Sequence, residues 1–596
     1  MVYRSAIWCL LAFTLSALAL PNKDEFKVAS ELLPGISSID RDLVPEMYAG
    51  QLALSEVADI NRRLFFWRFS EKVPAQGSSD TLILWLNGGP GCSSMDGALL
   101  ELGPFRVNDD GHLYPNPGSW HTKGDILFVD QPAGAGFSEL GNGWYLDNLN
   151  SVTTEMITFL TNYYTVFPED RKKKLIIAGE SYAGQYIPYL ADGILSSKKL
   201  DEDGNAFFPL ESIMIGNGWI DPQHQSLSYL PFLEEKGIIT SRTPRYRSLL
   251  EMQEACRNSV LTPEQPFLTD ECNNIFGAII QATRDVRQAE NRQCINIYDY
   301  TLREPYPSCG ANWPPGVHNI PKFFQLPGVK DALHITVNPE RLWEECNVDV
   351  FDHLTNPKVS PAVELLPKLL NCGLEILLFN GENDVICNNL GVEALIANLT
   401  WQGETGFSRN ADYYDWVTED ATTHIRDPAG FVRRERGLTF VSVYNASHMV
   451  PINIGPVGTG IFDISRNHVS FDRTADNLPA IITVANGRHP VVTTLVKRTL
   501  AAVAETLGSK YAGFVKAEEA PIAGNTKGGS LFKFVAIGLI LVTAAWAAVS
   551  YSLRQHLKMK KNIFLILGKQ IMVRNVGSTY NDLEGGVEVR VDSNKF

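Results

Sequence analysis

Positive charge is in deficit in this 596-residue chain: 52 Lys and Arg face 67 Asp and Glu, a net −15. A chain of that sign does not bind a phosphate backbone as its main task, which needs clustered Lys and Arg. It suits solubility in an acidic compartment and attraction of basic partners. Charged residues make up only 20% and hydrophobic residues 44%. Long disorder, collagen and coiled coil are excluded for the bulk, and a large core can be buried. No internal repeat is present. Cysteine is scarce, nine in all, and Cys9 lies in an N-terminal apolar run. The eight others are enough for disulfides in an oxidising lumen. Cys256, Cys272, Cys294 and Cys309 cluster; four cysteines allow three pairings, and sequence does not choose among them.

Long apolar runs are few, and two of them set the compartment. Met1 to Arg4 followed by Ala6–Leu20 predicts a signal peptide over 1–19. Phe534–Leu553 is uncharged for twenty residues, long enough to cross a bilayer. Arg554, Lys558, Lys560 and Lys561 follow it, which places that side in the cytosol. The expected organisation is a lumenal domain over 20–471, a lumenal stalk over 472–529, a transmembrane helix over 530–553 and a cytoplasmic tail over 554–596: a single-pass type I protein. Asn398-Leu-Thr and Asn445-Ala-Ser are glycan acceptor sequons. Tyr580-Asn-Asp-Leu583 fits a tyrosine sorting signal that cytosolic adaptors read.

Within the lumenal part, short β-rich runs begin at Thr81, Asp125, Lys174, Ser212, Glu375 and Leu438. Each reads as a strand buried on both faces. Helical patterns at 149–167 and 182–197 alternate with them, which predicts a mostly parallel sheet wrapped by helices. Residues 222–343 carry the cysteine cluster and irregular polar patterning, and read as a cap inserted on the sheet.

Lys174-Leu-Ile-Ile-Ala-Gly-Glu-Ser-Tyr-Ala-Gly184 is a strand, a tight turn and a helix. Small residues flank Ser181 because the turn is strained, and the strain lifts its hydroxyl above the sheet edge. A serine hydroxyl needs a base held by an acid. In this sheet type the order is Ser, then Asp or Glu, then His. Asp384 and His448 each follow a later strand, at the carboxyl edge where such sites assemble. The glycine-dense loop 85–94 offers backbone donors for a tetrahedral oxyanion, with Gly89 and Tyr182 N–H as the expected pair. It lacks the Lys-Ser/Thr ending of a phosphate loop.

Trp85-Leu-Asn-Gly-Gly-Pro-Gly-Cys-Ser-Ser94, Gly179-Glu-Ser-Tyr-Ala-Gly184 and His448-Met-Val-Pro451 resemble the three signatures of the serine carboxypeptidase family, which has the α/β-hydrolase fold. The resemblance runs from about Met47 to Pro451. Ser93-Ser-Met-Asp-Gly-Ala-Leu99, Gly216-Asn-Gly-Trp-Ile220 and Ser308-Cys-Gly-Ala-Asn-Trp-Pro-Pro315 are similar to a membrane-anchored fungal subgroup. The resemblance implies removal of C-terminal Lys or Arg from protein and pheromone precursors after kexin-type cleavage in the trans-Golgi network, with links to cell fusion and programmed cell death. It implies no metal or organic cofactor. It gives Trp85, Asn87, Glu101 and Glu180 to the substrate's terminal carboxylate, a free thiol to Cys387 and a disulfide to Cys92 with Cys346. Two close acids share a proton, so one of them donates at acidic pH. Carboxylate binding should then weaken above about pH 6. Asp96, with Met449, would select a basic leaving residue. The runner-up is a broad or hydrophobic-preferring vacuolar-type carboxypeptidase; a different class is a catalytically dead adhesion or receptor ectodomain. After Pro451 the family continues into an amphipathic helix, and the glycine-rich 452–460 departs from that pattern.

Overall fold

The computed structural model describes residues 22–54, 61–72, 80–260, 267–284, 293–355, 357, 359–420 and 426–466, with strand segments at 472–473, 479–480, 482–483 and 491–497. The expected signal peptide (1–19), transmembrane run (530–553), tail (554–596) and Tyr580–Leu583 signal lie outside these residues. No helix among the described residues is long and apolar enough to cross a membrane.

The six strands expected from the sequence all form, and others join them. In chain order the sheet contains β1 (Glu46–Ala53), β2 (Arg63–Ser70), β3 (Thr81–Leu86), β4 (Asp125–Val129), β5 (Lys174–Glu180), β6 (Leu210–Gly216), β7 (Glu375–Gly381), β8 (Asp412–Asp420), β9 (Arg426–Glu435), β10 (Leu438–Val443), β11 (Ile482–Thr483) and β12 (Val491–Lys497). Their spatial order is β1-β2-β4-β3-β5-β6-β7-β10-β9-β8-β12-β11. The run from β4 to β10 is parallel. Antiparallel strands close both edges.

Side chains alternate along the central strands, and each face has its own core. Leu82, Leu84, Leu127, Leu175, Ile177 and Leu378 face helices α1 (Leu149–Val166) and α2 (Ala183–Ser197). Ile83, Trp85, Ile126, Phe128, Ile176 and Phe379 face the other way, toward Trp120, Phe323 and Phe462. Helix α1 is capped by Asn148, whose side chain accepts Ser151 N–H at 2.9 Å. It buries Val152, Met156, Phe159, Leu160 and Tyr163 at helical spacing.

Helices α3 (Pro222–Glu235), α4 (Tyr246–Val260) and α5 (Asp270–Ala282) form a cap with a small core of its own, including Leu230, Leu233, Ile275 and Ile279. Cys256 pairs with Cys272 and Cys294 with Cys309. The expected cap boundary at 343 differs from the packing: Val317, Ile320, Phe323, Phe324 and Leu333 belong to the main core. The glycine-rich 452–460 also ends in a helix, Thr459–Ser465, which buries Ile461, Phe462 and Ile464. Lys123 anchors it through Asp463 at 2.8 Å. Within the stretch expected as a stalk from 472, β12 pairs with β8 and extends the sheet.

Candidate active site

Strand β5 ends at Glu180, and Ser181 turns the chain with φ +60°. A residue with a Cβ costs of order 1–2 kcal/mol there. The neighbours hold it. Ser181 N–H lies 3.1 Å from the Gly216 carbonyl and 3.2 Å from that of Asn217, and its own carbonyl accepts Trp219 N–H at 2.8 Å. A Cβ on Gly179 would come within 2.1 Å of the Leu86 carbonyl, and one on Gly184 within 2.9 Å of Trp219 N. The small flanking residues therefore answer to the close approach of two adjoining strands.

Asp384 follows β7 and His448 follows β10, so all three candidate catalytic residues stand past the carboxyl ends of parallel strands. His448 Nδ1 lies 2.7 Å from Asp384 Oδ2. Both residues are buried, and Ser181 is half-buried. Asp384 Oδ1 accepts Ile386 N–H at 3.0 Å, and Oδ2 accepts Cys387 N–H at 3.3 Å and Asn217 Nδ2–H at 2.8 Å. The cap reaches this point. His448 N–H donates to the Tyr298 carbonyl at 2.9 Å, and Tyr300 N–H to that of Asn383 at 2.8 Å. The Cys294–Cys309 bridge closes the hairpin that carries these residues.

Beside the serine, Asn87 Nδ2 donates to Glu180 Oε1 at 3.0 Å and Glu101 Oε1 at 3.4 Å. Trp85 Nε1–H and Gly97 N–H fix the Asn87 carbonyl oxygen at 2.8 and 3.2 Å. Both glutamates are buried. Burial pushes Glu101 up to about 7, against the pull of hydrogen bonds from Glu180 and Asn87 and the nearby His448 and Arg106. Burial, then the charge of and hydrogen bond to Glu101, push Glu180 well above the carboxylate range. Glu180 is the stronger proton holder of the two and keeps its proton when Glu101 ionises. A substrate carboxylate can accept a hydrogen bond from a protonated glutamate here, beside the Asn87 amide.

Asp96 is buried, directly before a π-turn at Gly97–Glu101, and its side chain makes no capping hydrogen bond to that turn. A π-turn re-aims side chains and is frequent at functional sites. Met449 is buried next to His448. A cavity of about 330 Å³ is lined by Leu100, Arg106, Asp109, Asn319 and Ile452 among others; Glu101, Asp96 and Met449 do not line it.

Gly89 has φ +108°, and a Cβ on its neighbour Gly88 would come within 2.4 Å of Tyr182 N. The glycine loop therefore lies against the amide that opens α2. Asp130 secures the loop by accepting Ser93 Oγ–H at 2.7 Å, Ser94 N–H at 2.8 Å and Phe137 N–H at 2.9 Å. Cys92 pairs with Cys346. Cys387 is buried and unpaired, and burial raises its thiol well above the usual range, as do the charges of Asp384 and Glu180. Asp384, Cys387 and His448 offer ligating atoms within 4.8 Å of one another. Two of these, Asp384 and His448, already bond each other. Asn398 and Asn445 are exposed.

Asp130, Tyr298 and Asn217 were not singled out from the sequence for roles at the site. The available signal was an asparagine between glycines just past a strand, Gly216-Asn-Gly218.

A family description, serine carboxypeptidase, matches residues 34–462. The chain is 46% identical over 489 residues to a pheromone-processing carboxypeptidase KEX1 of Vanderwaltozyma polyspora, covering 78% of this chain and 68% of the relative. A protein of the same name from Lachancea thermotolerans is 47% identical over 475 residues, covering 78% of this chain and 63% of the relative. The match thus spans about two-thirds of these relatives' length. The crystal structure of KEX1(delta)p, a prohormone-processing carboxypeptidase from Saccharomyces cerevisiae, superposes with a TM-score of 0.71 at 43% identity. It covers 80% of this chain and 100% of that one. On these grounds, and with a serine elbow, an Asp–His pair and a proton-sharing carboxyl pair at one sheet edge, the chain belongs to the serine carboxypeptidase family.

Proposed function

We propose that this serine carboxypeptidase removes C-terminal Lys or Arg from secretory precursors, pheromone precursors among them, after kexin-type cleavage in the late secretory pathway. The observation that carries the reading is Glu180. It directly precedes the candidate nucleophile and shares a hydrogen-bonded cluster with Glu101 and Asn87. A chain end held there puts the scissile amide one residue from the terminus, within reach of Ser181. Ser181 Oγ attacks the carbonyl while His448 Nε2 takes its proton; Asp384 holds the Nδ1–H side of the ring. Gly89 and Tyr182 N–H groups receive the oxyanion. The leaving amino acid takes the proton from His448, and water then hydrolyses the acyl-enzyme by the same steps in reverse order. Relatives named as pheromone-processing carboxypeptidases support the substrate class. Asp96 is a buried acid close enough to Glu180 to raise it, and its charge suits a Lys or Arg side chain, a pairing worth about 2 kcal/mol or more of discrimination. The apolar run at 534–553 supports a membrane anchor in the Golgi, with Asn398 and Asn445 as glycan sites on the lumenal side. Incubation of the purified protein with peptides ending in Lys-Arg, Leu or an amidated Arg, read by mass spectrometry, tests this. Stepwise loss of Arg and then Lys is expected, with the amide untouched. Asp96→Ala should lower the Lys/Arg preference at least about tenfold while keeping activity on Leu. Cleavage of the amidated peptide would end the exopeptidase reading, and an unchanged preference in the variant would end the role of Asp96.

A further inference from the structure

Asn217 lies where the serine turn, the end of β6 and the acid loop meet. It is fully buried with φ +39°. Its Nδ2–H donates to Asp384 Oδ2 at 2.8 Å, the oxygen that also faces His448 Nδ1 at 2.7 Å. Its Oδ1 accepts Gly381 N–H at 2.9 Å. Its backbone N–H donates to the Phe379 carbonyl at 2.7 Å, and its carbonyl accepts Ser181 N–H at 3.2 Å. The backbone donors to Asp384, Ile386 and Cys387 N–H, come from its own loop. Asn217 reaches it from a different strand, and the same residue touches the backbone of Ser181.

We propose that Asn217 is a positioning residue of this hydrolase: it fixes the Asp384 carboxylate in the orientation that aligns His448, and ties that orientation to the serine turn. This deepens the triad reading and rests on it. The amide supplies one donor to Asp384 and one acceptor to Gly381, and it has no charge of its own. Alanine removes both contacts and lets the carboxylate turn about its last torsion. Displacements of that kind near reacting groups cost about tenfold to a hundredfold in rate. Aspartate keeps the shape and replaces the donor with a second acid. The titratable groups around Asp384 and His448 include Glu180, Glu101, Cys387 and Tyr229, all raised by burial, and the Tyr298 ring lies 5.1 Å from that of His448. Two buried carboxyls as close as Asp384 and an aspartate at 217 share one proton, so the aspartate donates to Asp384 only while the pair keeps that proton.

The test measures kcat and KM against pH for the full chain on a peptide ending in Arg. Asn217→Ala is expected to lose kcat by about tenfold to a hundredfold with little change in KM. Asn217→Asp is expected to keep part of that kcat at acidic pH, where a proton shared with Asp384 restores the hydrogen bond, and to fall further below wild type as pH rises and the pair gains its second charge. An alanine variant with wild-type kcat, or an aspartate variant that tracks wild type from about pH 5 to 8, overturns the proposal. If the alanine variant does not fold, the isosteric aspartate decides by its divergence from wild type with pH. Fluorophosphonate labelling of wild-type Ser181 is a separate check: no labelling defeats the triad reading itself, whatever the Asn217 variants do.

Discussion

At the scale of single residues, the glutamate pair is where burial and chemistry meet. Below about 7 Glu101 keeps its proton beside the more firmly protonated Glu180, so the pair is uncharged and can accept a carboxylate. As pH rises through that point Glu101 ionises, and the pair takes on a negative charge that repels it. KM is therefore expected to climb above about pH 7, somewhat higher than the expectation from sequence. Glu101→Gln replaces an ionising donor with a permanent one, so its KM should stay nearly flat between about pH 5 and 8. A KM profile in the variant that still climbs like wild type would place the titration elsewhere. The family resemblance made these glutamates legible in the sequence. The direction of their shifts was legible from their closeness, but the value near 7 required knowing how completely the fold excludes water from them.

At the scale of elements, the central strands were legible because each is a short apolar run buried on both faces. The edge strands were not. Strand β1 reads Glu-Met-Tyr-Ala-Gly-Gln-Leu-Ala and β8 opens on Asp-Tyr-Tyr-Asp, and both owe their form to antiparallel partners. At the end of the sheet opposite the site, Arg68 joins β2 to β4 and to the turn before β5. It donates to Asp170 at 2.9 and 3.0 Å and pairs with Asp125. Lys173 and Tyr163 complete the cluster. Burial opposes ionisation of Asp170, but Arg68 and Lys173 outweigh it and hold its carboxyl below the usual range. Arg68→Ala leaves two buried carboxylates to Lys173, one positive charge short, and is expected to cost about 3–5 kcal/mol in chemical unfolding. Because the cluster is remote from Ser181, kcat per labelled serine should be unchanged. A shift under about 1 kcal/mol would show that solvent already screens the cluster.

For the whole molecule, the raised carboxyls link stability to pH. Glu101 ionises near 7 in the folded chain instead of 4.5, and Asp130 near 6 instead of 3.8, both through burial first. The folded state thus binds more protons than the unfolded one in these windows. Their stabilisation is full below the unfolded values and is lost as pH rises through the folded ones. His121, lowered by burial to about 4, acts in the opposite sense between 4 and 6.5. Above 6.5 it no longer opposes them, so unfolding midpoints should fall from pH 6.5 to 8. Glu101 alone accounts for up to about 3 kcal/mol over its full window. Glu101→Gln should remove much of the fall, and an equally steep fall in that variant would assign it to other groups.

The sequence by itself determined the parallel strands, the order Ser181, Asp384, His448 along them, and the small residues around the turn. These are local patterns, each set by a few neighbouring residues. Only the tertiary structure decided which cysteines of the cap join, which main-chain groups grip the His448 loop, and that Asn217 binds Asp384. Those partners are 15 to 167 residues apart, and a hydrogen bond needs its atoms within about 3.5 Å. Closeness of that kind arises only when the sheet is assembled and water is shut out.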